Sequence, residues 1–191
     1  MELVFATNNA HKLEEVQQMV GDKFVLKSLA DIGCNDDIPE TGDTFQENAK
    51  QKTDYLFQKY SIDCFGDDSG LEIDALNGEP GVYSARYSGS RDMEKNIDLV
   101  LEKLQGQEDR KARFKTVISL FLQGEQYFFE GTVEGRIIAG RTGTAGFGYD
   151  PIFIPDGYGQ TFAEMSLEEK NKISHRSKAV SKLVEFLNSQ Q

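Results

Sequence analysis

No stretch of this sequence approaches the roughly 18 consecutive apolar residues that a membrane-spanning helix needs, so a membrane protein is not expected. Positive charge is scarce as well: 21 Lys and Arg stand against 32 Asp and Glu, a net charge of −11. That balance leaves no broad basic face for the phosphates of duplex nucleic acid. A small phosphorylated ligand stays open, provided that the few cations gather at one place. Cysteine is rarer still. Cys34 and Cys64 have neither metal-ligand spacing nor the numbers for a disulfide framework, so they read as packing residues and a cytoplasmic location is the expectation. The opening Met1-Glu2-Leu3-Val4-Phe5 lacks a basic leader, and no signal peptide is expected. Linkers, repeats, low-complexity tracts and the P-loop pattern G-x-x-x-x-G-K-[ST] are missing too.

What is there suits a globular enzyme-sized chain. The 191 residues are 38% hydrophobic, enough for one domain with a sizeable core. Glu2 to Thr7 reads as a buried strand, and Leu13, Val16, Met19 and Val20 follow at helical spacing, stopped by Gly21. Phe24 to Leu29 alternates as a second strand. Thr44 and Glu47 form a capping box that starts a helix reaching about Tyr60, and Ser166 with Glu169 forms another. Ile62 to Phe65 reads as strand three and Ala75 to Arg91 as a shaped loop. Asp92 to Gln105 is a helix, and two β-prone runs, Ala112 to Leu122 and Gln126 to Ile138, form a hairpin about Gly124-Glu125. Tyr149 to Ile154 is extended, and the last helix runs from about His175 to Leu187. Strands alternating with helices imply an α/β protein: a mixed central sheet with flanking helices, one domain over 1–191, its two lobes around an active-site cleft.

Four places could carry chemistry. In Phe65-Gly66-Asp67-Asp68-Ser69-Gly70, two adjacent carboxylates follow a strand. Hard oxygen ligands of this kind suit Mg²⁺, and an acidic turn accounts for them equally well. Thr7-Asn8-Asn9-Ala10-His11-Lys12 lies between strand and helix, where backbone N–H groups can meet an anion. Lys12 in a first helical turn opposes the macrodipole unless an anion is bound, though an Asn-rich turn with an incidental lysine also fits. Gly146-Phe147-Gly148-Tyr149-Asp150 offers aromatics for stacking on a base, or core aromatics in a glycine-rich turn. Lys170-Asn171-Lys172-Ile173-Ser174-His175-Arg176 places cations at a second helix start. Lys50 and Lys52, two apart on one helix, cannot both face a site.

Taken together and in this order, these strings resemble the non-canonical purine nucleoside triphosphate pyrophosphatases, the inosine/xanthosine triphosphate pyrophosphatases. Thr7 to Lys12 is similar to the T-G-N-x-x-K phosphate loop of that family. Glu40-Thr41-Gly42, Thr44-Phe45 and Glu47-Asn48-Ala49 resemble its E-T-G-x-T-F-x-E-N-A segment, and Asp67 to Leu71 its D-D-S-G-L signature. Pro80 to Tyr87 resembles P-G-x-Y-S-A-R-Y, and Phe147 to Pro151 with Ser174-His175-Arg176 complete the set. The chain departs from the pattern at Asn8, where Gly is common, and at Pro39, where many bacterial members have a second acid.

The resemblance implies an ITPase-like fold, a homodimer, and Mg²⁺-dependent hydrolysis of ITP, dITP and XTP to monophosphate and pyrophosphate, cleansing the nucleotide pool. It implies that Asp68 is the catalytic acid/base position, that Glu40 and Asp68 bind the metal, and that Asp67 supports it. Thr7, Asn8, Asn9, Ala10, His11 and Lys12, with Lys52 and Ser69, would hold the triphosphate. Phe147, Gly148, Tyr149, Asp150, Lys170, His175 and Arg176 would hold the base. Competing readings are a phosphomonoesterase with an aspartyl nucleophile, whose D-x-D spacing is missing, a non-catalytic purine-nucleotide sensor, and a pyrophosphatase for modified pyrimidines.

Overall fold

A computed structural model describes residues 2–190. Residues 1 and 191, the ends of the single domain expected over 1–191, lie outside the described residues. In chain order the elements are β1 (Glu2–Phe5), α1 (Ala10–Val20), β2 (Val25–Lys27), α2 (Phe45–Tyr60) and β3 (Cys64–Ile73). There follow α3 (Met93–Lys103), β4 (Lys111–Leu122), β5 (Glu125–Ile137), β6 (Phe153–Pro155), α4 (Leu167–Asn171) and α5 (His175–Ser189). The strands form one six-stranded sheet in the order β2-β1-β3-β4-β5-β6. β1 runs parallel to β2 and β3, with Val4 opposite Cys64, whereas β6 is antiparallel to β5. The sheet is therefore mixed, as the alternation of strands and helices implied. Among the described residues no helix is long and apolar enough to cross a membrane.

The chain makes two compact units. The first takes the chain up to Asp68, Thr116–Gly131 and the segment from Arg176 onward; the second takes Ser69–Lys115 and Thr132–His175. In the first, strand alternation sorts side chains to two faces. Leu3, Phe5, Phe65, Ile118 and Leu120 pack with Val16 and Val20 of α1 and Val180, Leu183 and Leu187 of α5. Phe5 and Phe65 stack at 4.5 Å. Val4, Ala6 and Cys64 point the other way, onto Leu56 of α2. The second unit has its own core, in which Leu71, Ile73, Phe114, Val133 and Ile137 of the strands meet Ile97, Val100 and Leu104 of α3.

Several local expectations change. Strand three is not confined to Ile62–Phe65: β3 continues through Asp67, Asp68 and Gly70 to Ile73, so the acid pair is no turn. β3 lies between β1 and β4 and runs on past its pairing with β1 at Cys64 and Phe65, so incorporation in the sheet outweighs the turn propensity of Asp, Ser and Gly. The hairpin turn falls on Gln123 and Gly124, one residue earlier than expected, with φ of +52° and +87°. Positive φ at both central residues is what a tight two-residue hairpin requires. Asp150–Ile152 is a 3-10 turn, so the extended path begins only at Phe153. Pro155 ends β6, the last strand in the order, where a missing N–H is tolerated. Both capping boxes form, at Thr44/Glu47 and Ser166/Glu169.

Cys64 is fully buried, and its Sγ lies 3.6 Å from the Thr53 carbonyl. Burial, reinforced by Asp63 and Asp54, pushes this thiol up to about 12. Since the thiolate is the reactive form, a thiol probe at mildly alkaline pH should leave Cys64 unmodified in the native protein and label it in denaturant. Mass spectrometry reads the result; rapid native labelling of Cys64 would contradict it.

Candidate active site

In the first unit the site is built where β1 ends and α1 begins. Thr7 is buried, and its Oγ1 accepts the Asn9 N–H at 3.0 Å. Asn9 caps α1, its Oδ1 accepting from His11 N at 3.0 Å and Lys12 N at 3.2 Å. Ala10 is the first helical residue, and Asn8 is exposed. Among the described residues the positive-φ non-glycines are Ser61, Asn77 and Gln123, so Asn8 takes an ordinary conformation where glycine would have had more freedom. Lys12, unfavourable for the helix dipole, has found an anion within the protein: its Nζ lies 3.1 Å from Asp67 Oδ1.

α2 supplies the second group. A Cβ at Gly66 would lie 3.1 Å from Lys52 Cβ and 3.3 Å from Ala6 Cβ, so the glycine lets α2 lie tight against β3. Asn48 and Lys52, one turn apart, share the face turned to the acids. Asn48 Nδ2 donates to Asp68 Oδ2 at 3.0 Å. Lys52 Nζ donates to the Asp67 carbonyl at 2.7 Å and pairs with Glu40 Oε1 at 2.9 Å. Lys50 turns away to Asp54, as two lysines two apart must divide.

The acid pair is split by the strand, because successive side chains leave on opposite faces. Asp67 meets Lys12 and, at 3.4 Å, Arg176 Nε. Burial alone would raise Asp67, but Lys12, Arg176 and Lys52 together hold it well below the usual carboxylate range. Asp68 goes the other way. Its burial outweighs the pull of Lys52 and Lys12, Glu40 adds like charge, and the carboxyl is pushed up to about 6. Lys52 is raised despite its burial, through Glu40, Asp67 and Asp68.

Among the described residues no three His, Cys, Asp or Glu side chains cluster as a protein-only metal site. The oxygen donors Glu40 and Asp68, coupled electrostatically across Lys52, nevertheless fit Mg²⁺. This ion is commonly held by one or two carboxylates and completes its shell with water and phosphate. A cation there would relieve the unfavourable ionisation of Asp68.

The second unit carries the aromatic loop. Asp150 and Lys170, both nearly inaccessible, pair at 2.8 Å. Asp150 Oδ2 also accepts the Phe147 N–H at 3.1 Å. A Cβ on Gly146 would lie 2.1 Å from that oxygen, so this turn closes only with glycine there. Lys170 Nζ stands 4.9 Å from the Phe147 ring centre. Gly148 follows at φ +64°, and Tyr149 is buried with its hydroxyl donating to the Ser84 carbonyl at 2.6 Å. His175 is buried with its ring stacked on Phe114 at 4.8 Å. Ser69 is half-buried on β3.

With this geometry in view, likeness to known proteins is decisive. The Ham1 family model matches residues 3–186. The chain belongs to the Ham1 family. It is 53% identical to the dITP/XTP pyrophosphatase of Flavobacterium johnsoniae over 98% of both chains. With the protein of the same name from Christiangramia forsetii it shares 55% identity over 98% of this chain and 99% of that one. The Ham1 protein of Staphylococcus aureus superposes with a TM-score of 0.91 at 40% identity, over the whole of both chains.

The residues that the resemblance singled out fall into two sets. Thr7 to Lys12, Glu40, Lys52 and Asp68 belong to the first unit, and Ser69, Phe147 to Asp150, Lys170 and His175 to the second. Arg176 belongs to the first unit, where its guanidinium contacts Glu15 and Asp67. Glu15 and Asn48 gained no role from the sequence alone. Glu15 carried a signal, since an acid four residues before Met19 lies at the edge of the stripe that α1 must bury. Asn48 carried none beyond its place in the E-N-A string, because only the tertiary fold brings it to Asp68.

Proposed function

We propose that the chain is a Mg²⁺-dependent nucleoside triphosphate pyrophosphatase acting on dITP, ITP and XTP, releasing the monophosphate and pyrophosphate. The observation that carries the proposal is a buried, proton-seeking carboxylate, Asp68, beside Lys52 and Glu40, in a chain more than half identical end to end to proteins named dITP/XTP pyrophosphatases.

In this reading a water attacks the α-phosphorus, Asp68 takes its proton, and the bond from the α-phosphorus to the bridging oxygen breaks as pyrophosphate leaves. In the metal-free protein this carboxyl is raised to about 6, and a cation beside it would favour the ionised form that accepts the proton. Lys12, Lys52, the Thr7–His11 loop and Ser69 receive the triphosphate, where the two ammonium groups offset its charge. Mg²⁺ held by Glu40 and Asp68 would neutralise phosphate oxygens. Asn48 keeps the Asp68 carboxylate oriented.

Phe147 offers a ring for the base, and Lys170 and His175 offer donors to an acceptor O6. Adenine presents an amine there instead, leaving donor against donor. Asp150 holds Lys170 and the Phe147 N–H, so we assign it to shaping the base loop, with Gly148 and Tyr149. Arg176, buried against Glu15 and Asp67, supports the acid pair. The resemblance also supports a cytoplasmic homodimer, which light scattering of the purified protein tests for assembly.

Product analysis decides the main proposal. With dITP and Mg²⁺, dIMP and pyrophosphate should appear in equal amounts, EDTA should abolish turnover, and kcat/KM for dATP should be lower by at least about 100-fold. Orthophosphate without pyrophosphate, a trapped phospho-aspartate, or binding without turnover would each overturn it.

A further inference from the structure

The string Pro80 to Tyr87 has no part in the chemistry proposed above, yet it is tied closely to the base loop. Gly81–Arg86 forms a 3-10 turn lying along β3. Ile73 N–H donates to the Glu79 carbonyl at 3.2 Å, and Glu72 bridges to Pro80. At the next step the partner is a side chain: Leu71 N–H donates to Ser84 Oγ at 2.9 Å. The same hydroxyl donates to the Gly81 carbonyl at 2.6 Å. One buried hydroxyl thus satisfies a strand donor and closes its own turn. The Ser84 carbonyl then accepts the Tyr149 hydroxyl at 2.6 Å. From the other side Asn96 of α3 fastens the segment, donating to the Ala85 carbonyl at 3.2 Å and accepting from Ser88 N at 2.8 Å.

Ser84 therefore links β3 to Tyr149, in the middle of the loop that carries Phe147 and Asp150, through two of its own groups: its hydroxyl meets the Leu71 N–H and its backbone carbonyl meets the Tyr149 hydroxyl. Leu71, Ser84 and Tyr149 are all buried, where a lost partner is costly and geometry is held tightly. All of them lie in the second unit, whereas Lys12, Glu40, Lys52 and Asp68 lie in the first. We propose that Ser84 is a positioning residue for purine recognition: acting through Tyr149, it fixes the Phe147–Asp150 loop against β3 without touching substrate. The inference rests on the reading that this loop and Lys170 hold the base.

The test separates base from phosphate. Ser84→Ala should raise KM for dITP about five- to tenfold, the scale of one buried hydrogen bond, while kcat changes by less than about twofold. Inhibition by inorganic tripolyphosphate, which has no base, should be unchanged. Tyr149→Phe should raise KM in the same direction, and the double variant should be little worse than the poorer single one, because both remove parts of one link. Ser84→Thr, which keeps the hydroxyl, should recover most of the loss. Weaker tripolyphosphate inhibition in step with KM, or a fall in kcat with KM unchanged, overturns the proposal. Should Ser84→Ala be too unstable to assay, Tyr149→Phe and Ser84→Thr carry the same comparison. A wild-type protein that leaves dITP intact sinks the underlying reading; a wild type that hydrolyses it, with variants matching it, sinks only this inference.

Discussion

Replacing Asp68 by Asn should cost at least about 1,000-fold in kcat/KM for dITP and at the same time leave the metal-free protein more stable. Both effects come from one fact. The Asp68 carboxyl is 6% exposed, and burial raises it to about 6 from the ordinary value of 3.8. An amide of the same shape retains an oxygen for Asn48 but cannot take a proton from water. The stability effect follows from linkage. A carboxyl raised in the folded state is most compatible with folding when protonated, below the unfolded value near 4. Its cost grows as pH rises from there through about 6 and is complete above it. The difference amounts to roughly 3 kcal/mol at neutral pH, an order-of-magnitude figure. Denaturant titrations in EDTA should therefore find Asp68→Asn more stable than wild type at pH ~7, with the gap closing towards pH ~4. Retained turnover would remove Asp68 from its role. A variant less stable than wild type at neutral pH would show that ionised Asp68 is well accommodated, contrary to its burial.

How far the sequence discloses this site depends on the range of the interactions involved. Thr44/Glu47 and Ser166/Glu169 are legible because a capping box closes within four residues, and both form. The division of Lys50 from Lys52 is equally local. Asp67 and Asp68 are different. Their composition signals a turn, whereas sheet pairing makes them strand residues, and the partners of Asp67 come from afar: Lys12 lies 55 positions from it and Arg176 lies 109. The same distance hides the partner of Arg176. Read locally, His175 and Arg176 are adjacent cations at one helix start; in the structure one stacks on Phe114 and the other reaches Glu15 and Asp67. Lys12 and Arg176, whose helix-start places suggested a phosphate-bearing ligand, meet protein carboxylates, Asp67 for both and Glu15 for Arg176, and the dipole argument does not distinguish these from a phosphate.

The largest loss of stability should come from Arg176→Leu. Arg176 and Glu15 are 2% and 3% exposed, and Asp67 is 1% exposed. Two cations, Lys12 and Arg176, thereby balance two acids, Glu15 and Asp67, in a largely dehydrated group. Removing the guanidinium takes a buried cation away from Glu15 and leaves Asp67 to Lys12 and Lys52. Breaking a buried pair in this way typically costs about 3–5 kcal/mol. Urea unfolding should show a lower midpoint with an unchanged m-value. Adding Glu15→Leu should recover most of the loss, since the pair is then replaced by apolar volume and Lys12 still meets Asp67. Acid sensitivity supplies an independent reading. In wild type, Asp67 is held below its ordinary value, so its contribution is present above pH ~4 and is lost as pH falls. Without Arg176 less of that contribution exists, and the variant should lose less stability than wild type does as pH is taken below ~3. A single variant within about 1 kcal/mol of wild type, or a double variant no better than the single, would mean that water or neighbouring cations already compensate Glu15, and that Arg176 is not what holds the acid pair in place.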